Sequence, residues 1–217
     1  MKLEAMAVTL PEVAGHPNRA PFCGVLTLVD EPSTKPPSGA RGHRVILTRR
    51  AALAALPSLL GMAVDYAPSW DGHDARRKCG IITHADVEGP RLQVAGYLFA
   101  KDFPEVERQM RQSLPGVMGM SWELADAHVE DMRAEIWTLT RATFTGAAIL
   151  LREKAAYRNT SFELGSSRCR STIGRPALPE RVNAGAARHH REGAGLTLPK
   201  QATRKEQTWN HRQAKAW

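Results

Sequence analysis

Residues 78–100 read K-C-G-I-I-T-H-A-D-V-E-G-P-R-L-Q-V-A-G-Y-L-F-A, and this stretch decides the fold. Its second half alternates Leu92, Val94, Gly96 and Leu98 with polar or small neighbours, the period-2 pattern of a half-buried strand. Its first half, 78–87, is rich in β-branched and aliphatic residues. Between them stands Glu88-Gly89-Pro90, turn chemistry that folds one strand back on the other. A central hairpin is therefore expected. Upstream of it, G-V-L-T-L-V-D (24–30), H-R-V-I-L-T (43–48) and M-A-V-D-Y (62–66) read as strands. Strands near 117–124, 134–141 and 143–150 follow downstream.

Two short helices interrupt the strands. Thr48 is a candidate N-cap for R-R-A-A-L-A-A-L (49–56), which stops near Pro57. D-F-P-E-V-E-R-Q-M-R-Q-S (102–113) places Asp102 as cap, Pro104 in the first turn, and Phe103, Val106 and Met110 on one face. Many strands with few helices predict an α+β domain, β-rich and barrel-like, over residues 20–165, not a doubly wound parallel sheet. Residues 1–19 read as a loose arm. From 166 onward Gly, Ala, Pro, Arg and Thr dominate without an amphipathic period, which predicts a disordered basic tail.

The charge distribution narrows the function. The 217 residues carry a formal charge of +8, yet residues 1–165 hold 19 basic and 19 acidic side chains. The excess lies in 166–217, with 11 Lys/Arg against 3 acids. A nucleic-acid partner is thus expected only through the tail, where Trp209 and Trp217 stand among basic residues and permit base stacking. The three cysteines (Cys23, Cys79, Cys169) show no C-x-x-C spacing and fit a reducing compartment better than a disulfide framework. Cys79 with His73 and His84 lacks metal-ligand spacing, so neither metal nor cofactor is expected. The first residues show no basic segment leading into an apolar run, and the apolar stretch at 51–64 is broken by Pro57 and Ser58. Neither a secretory signal nor a membrane span is expected.

Two motifs carry chemistry: S-W-D-G-H-D (69–74) and G-M-S-W-E-L (119–124). A serine hydroxyl is a weak nucleophile until an imidazole removes its proton, so His73 and Ser121 form the minimum kit for acyl transfer. The order of G-V-L-T-L-V-D, D-G-H-D, D-F-P-E, G-M-S-W-E, F-T-G-A-A-I-L and K-A-A-Y resembles that of the tailed-phage prohead maturation proteases. That family is related in fold to the herpesvirus assemblins. The resemblance covers roughly residues 20–165 and implies a serine endopeptidase of assemblin-like fold. It implies Ser121 as nucleophile, His73 as base, and scaffold and major capsid proteins as substrates. It also implies self-cleavage, self-association, and a location in the bacterial host cytoplasm inside the immature head.

The third catalytic member departs from the family pattern. The family's acid sits on the segment I-W-T-L-T-R-A-T-F-T-G-A-A-I-L (136–150), and the slot falls at or near Arg141. An arginine accepts no hydrogen bond and cannot orient an imidazole. Asp74 or Asp71, beside His73, or His128 would have to substitute. Backbone N–H groups at Thr145-Gly146-Ala147 are a candidate oxyanion hole, with Gly146 as a simple strand bulge the alternative. Trp70 and Trp122 read as core or pocket wall, and Arg76-Arg77-Lys78 as a solvated face. Two other functions stay open: a catalytically impaired, protease-derived assembly protein, motivated by Arg141, and a nucleic-acid binder acting through its tail.

Overall fold

A computed structural model describes residues 15–165 and Cys169. Ten elements follow one another, and the labels run in chain order. They are β1 (Ala20–Leu28), β2 (Arg44–Leu47), α1 (Arg49–Ala55), β3 (Ala63–Asp65), β4 (Lys78–Glu88), β5 (Arg91–Leu98), α2 (Pro104–Gln112), β6 (Met118–Val129), β7 (Ile136–Leu151) and β8 (Ser161–Leu164). The strands form a single mixed sheet in the order β2-β7-β3-β4-β5-β1-β8, with β6 also paired to β7. The sheet curls into a half-barrel flanked by the two short helices, an α+β architecture.

The hairpin read from 78–100 is the centre of that sheet. β4 and β5 pair antiparallel from Gly80↔Leu98 to Glu88↔Arg91, with one irregularity between Ile82 and His84. Leu92, Val94 and Leu98 are buried with Ile82, as the alternation requires. Gly96 fills its place in that alternation for a steric reason: a Cβ there would lie 2.0 Å from the Ile81 carbonyl oxygen. Antiparallel β1 lies along the outer side of β5, and β8 continues the sheet beyond β1.

Helix α1 begins as expected: Thr48 Oγ1 accepts the Ala51 N–H at 3.2 Å and donates to the Leu139 carbonyl at 3.0 Å. Pro57 then sits in a 3-10 turn, Leu56–Leu59, that ends the helix. For α2 the expected cap is corrected. Phe103 occupies the N-cap position and offers no side-chain acceptor. The Asp102 carboxylate instead accepts from Asn18 Nδ2 at 2.7 Å, and Asn18 Oδ1 accepts the Lys101 N–H. The end of the predicted loose arm is thus tied to the body, while residues 1–14 of that arm lie outside the described residues.

Two strand boundaries also differ from expectation. The segments 134–141 and 143–150 are one continuous strand, β7, because nothing between them breaks the extended backbone. The irregularities in its pairing with β6 fall on both strands: the register passes over Thr145 and Thr140 of β7, and sets Asp126 and Ala127 of β6 against the single residue Ala142. Asp126 adopts φ 51° there, the left-handed conformation that aspartate tolerates better than most side chains. The four-residue β8 escaped notice because S-F-E-L is too short to show a period.

The cysteine expectation changes as well. Cys23 on β1 and Cys169 are joined by a disulfide with a Cα–Cα distance of 4.9 Å, while Cys79 is free and buried. Among the described residues no helix is long and apolar enough to cross a membrane. The rest of the predicted tail, 166–217, lies outside the described residues.

Candidate active site

Strand β3 is only three residues long, but it lies between β4 and β7 and so sits inside the sheet. Its last residue, Asp65, is fully buried. In register, Asp65 pairs with Ala148 of β7, and Ala148 pairs on its other side with Ser121 of β6. Residues opposed across neighbouring strands project to the same face. Asp65 and Ser121 therefore stand on one rung, two strand spacings or roughly 10 Å apart. That is the span one imidazole, hydrogen-bonded at each end, can bridge.

The loop 66–77 carries His73 back over this rung. Its path is held at Trp70, which takes φ 57°. The strain is opposed by a hydrogen bond from Trp70 N–H to Ala67 O at 2.9 Å and one from Leu151 N–H to Trp70 O at 2.8 Å. The Trp70 ring stacks on Tyr66 with centroids 5.1 Å apart. His73 Nδ1 then lies 3.3 Å from Asp65 Oδ1, with the imidazole 17% exposed. The approach is loosely aligned, so Asp65 Oδ1 and both ring nitrogens are buried without a completed hydrogen bond. Long, imperfect contacts of this kind are common in unliganded catalytic sites and tighten when substrate binds.

Lys78, directly across from Asp65 on β4, donates from Nζ to Asp65 Oδ2 at 2.7 Å. Burial pushes the Asp65 carboxyl up, but the close approach of His73, the bond from Lys78 and the charges of both outweigh it and hold it below the usual carboxylate range. Asp65 is thus an ionised, buried acceptor facing an imidazole. The run Arg76-Arg77-Lys78 is accordingly not one solvated face. Arg76 and Arg77 pair with Asp74, and Lys78 turns inward.

His73 and Ser121 line the same cavity, of about 480 Å³. Its walls are Leu26, Met120, Trp122, Leu150 and Tyr157, with Lys35 and Lys154 also lining it. Trp122 is a wall residue, edge-on to Phe144 at 6.3 Å. Glu123, two residues past Ser121 on the same strand face, also reaches the imidazole, with Oε2 at 3.9 Å from Nδ1.

The other expected partners of His73 are not brought to it. The Asp71 carboxylate accepts from Ser69 Oγ. Asp74 accepts from Arg76 N at 3.0 Å and from its Nε at 3.1 Å, so its oxygens are already held by a neighbouring cation. His128 lies well along β6 and bonds Thr140 Oγ1 at 2.9 Å. Arg141 pairs with His128 across the strands and is exposed, so it does not fill an acid's slot beside His73. For the oxyanion candidate Thr145-Gly146-Ala147, Gly146 and Ala147 pair with Glu123 and Trp122 of β6, and the register passes over Thr145 beside Gly146, which is the strand bulge read as the alternative. The open side of Gly146 is occupied by the Glu123 carboxylate.

Cys79 Sγ donates to the Val64 carbonyl at 3.5 Å, and burial pushes its thiol up to about 12. Among the described residues, Cys23, Glu163 and Cys169 are the one His/Cys/Asp/Glu group whose ligand atoms converge within 4.8 Å, and two of them form the disulfide.

Sequence reasoning missed Asp65. The only available signal was an acid closing a short apolar strand, M-A-V-D-Y, where a polar side chain inside a sheet needs a partner. No protein-family model matches the chain, and no curated protein matches it.

Proposed function

We propose that this chain is a serine endopeptidase of the prohead-maturation kind, acting through Ser121, His73 and Asp65. The observation that carries the reading is the buried Asp65 carboxylate 3.3 Å from His73 Nδ1, on the same sheet rung as Ser121. It supports the protease reading by offering an orienting acid other than the Arg141 slot, whose arginine motivates the alternative of a catalytically impaired assembly protein; Arg141 is exposed at another part of β7.

In this reading Ser121 Oγ attacks the scissile carbonyl while His73 Nε2 takes its proton. Asp65 holds Nδ1–H and stabilises the imidazolium that forms. Collapse of the tetrahedral adduct expels the amine, which receives the proton from His73. Water, deprotonated by the same imidazole, then releases the acyl group and restores Ser121. Scaffold and major capsid proteins are the proposed substrates, on the strength of the motif order described above. The cavity beside Ser121 has room for a substrate side chain against Trp122 and Met120.

The test is expression of the full chain followed by intact-mass analysis and labelling with a fluorophosphonate, which reacts with activated serines. Self-cleavage and labelling are expected in the wild type and are expected to vanish in Ser121→Ala. Identical processing and labelling of both proteins would sink the proposal.

A further inference from the structure

Two carboxylates approach the same ring nitrogen of His73. Asp65 Oδ1 lies 3.3 Å from Nδ1, and Glu123 Oε2 lies 3.9 Å from it. They differ in what else they touch. The second oxygen of Asp65 accepts from the Lys78 ammonium at 2.7 Å, so aspartate and lysine together are close to neutral. The negative end of that pair faces His73 and stabilises an imidazolium forming there, but the pair leaves the charge of the imidazolium itself without a net counter-charge. Glu123 has a partly open side chain, 36% exposed.

The position of Glu123 depends on a glycine. Its strand partner is Gly146, and a Cβ on residue 146 would stand 2.3 Å from Glu123 Oε2 and 3.2 Å from Cδ. The carboxylate lies across the place where a side chain would be. The atoms it would meet are the far end of a flexible side chain, so an added methyl group displaces the carboxylate without breaking the sheet. Gly146 carries no positive φ, so alanine is compatible with its backbone.

We propose that Glu123 is a positioning residue for His73, seated over Gly146 to supply the net negative charge that the Lys78-paired Asp65 lacks. This rests on the acyl-transfer reading of Ser121. The other charged groups near the ring do not take that part. Asp71 is bonded to Ser69 and Asp74 to Arg76, while Lys35 and Lys154 in the cavity wall carry the opposite sign.

The experiment uses the full chain and two readouts. The first is the rate of fluorophosphonate labelling of Ser121 across pH. The second is the pair of ¹⁵N shifts of the His73 ring, which report what Nδ1 is bonded to whether or not the enzyme turns over. Glu123→Gln is expected to slow labelling by roughly tenfold or more, as neutralising a carboxylate about 4 Å from a charged ring should. The loss should be accompanied by a changed Nδ1 shift. Gly146→Ala should reproduce both effects although the carboxylate is retained, and the double variant should be no slower than Glu123→Gln alone.

Unchanged labelling and ring shifts in both single variants, with labelling still abolished in Ser121→Ala, would overturn the inference and leave the protease reading standing. Losses that multiply in the double variant would overturn the seating of Glu123 by Gly146. A wild-type Ser121 that is never labelled overturns the protease reading itself. In that case an unchanged Nδ1 shift in Glu123→Gln would also remove the contact, whereas a changed one would keep it as a feature of the fold.

Discussion

Asp65 does two jobs that can be separated by pH. Its carboxyl is held below the usual range because, against the cost of burial, the nearby His73 and the bonded Lys78 favour its charged form. A carboxyl depressed in the folded state gives stability that is present above its unfolded value, near about pH 4, and is lost as pH falls through the folded one. In that window the unfolded chain binds the extra proton, so stability must rise with pH. Wild-type protein should therefore lose urea resistance between about pH 5 and the acid limit more steeply than Asp65→Asn. Equal slopes would show that Asp65 is not held ionised. At neutral pH the same substitution should lower Ser121 labelling by about four orders of magnitude, because the amide favours the wrong imidazole tautomer. A loss of less than tenfold in a folded variant would remove Asp65 from the triad. His73 and Ser121 were legible in the sequence because each sits in a short motif with recognisable neighbours. Asp65 was not, since its role arises from a rung across three strands. The two residues it serves lie 8 and 56 positions away, and nothing local marks the connection.

At the scale of elements, legibility followed the strength of the local period. The β4–β5 hairpin could be read because alternation and a Glu-Gly-Pro turn agree with each other. Helix α1 could be read because Thr48 caps it and Pro57 closes it. Strand β7 reads as two because Arg141 and Thr143 around Ala142 interrupt its apolar pattern, whereas it is one strand whose mismatches with β6 are absorbed on both strands, at Thr140 and Thr145 of β7 and at Asp126 of β6. Within the legible hairpin two glycines face backbone oxygens, Gly80 toward Tyr97 and Gly96 toward Ile81, and Gly96 is the tighter. A Cβ on Gly96 would meet the backbone oxygen of Ile81 at 2.0 Å, and a backbone atom cannot swing aside as the end of a side chain can. Gly96→Ala should force β4 and β5 apart at the centre of the sheet and destabilise by about 3 kcal/mol or more. A urea midpoint shifted by less than the equivalent of about 1 kcal/mol, at unchanged m, would show that the strands have slack there.

The whole molecule is a sheet whose end beyond β1 is closed twice, once by hydrogen bonds and once by a covalent bond. Strand β8 pairs with β1 from Phe22↔Leu164 to Val25↔Ser161, and the Gly165 N–H reaches Pro21 O at 2.7 Å. Just past that point the Cys23–Cys169 disulfide ties residues 146 positions apart. A cross-link over so long a loop removes much of the unfolded chain's freedom, worth about 5 kcal/mol in a chain-entropy account and less where β8 already restrains the same ends. The sequence, with three cysteines and no paired spacing, predicts reduced thiols; sequence spacing cannot see that the pairing of β8 with β1 brings Cys169 back to Cys23. The two expectations part on a thiol count. Protein prepared without reductant should show no reactive thiol when native, because Cys79 is buried and its thiol pushed up to about 12, and a single one after unfolding. Three thiols after unfolding would mean that the bond does not form in the protein as made. If it forms, reductant and Cys23→Ser should each lower the thermal midpoint, and reductant should add nothing to the variant. Since the bond lies at β1 and the proposed triad on β3, β6 and the loop after β3, Ser121 labelling in the folded, reduced protein should keep its wild-type rate.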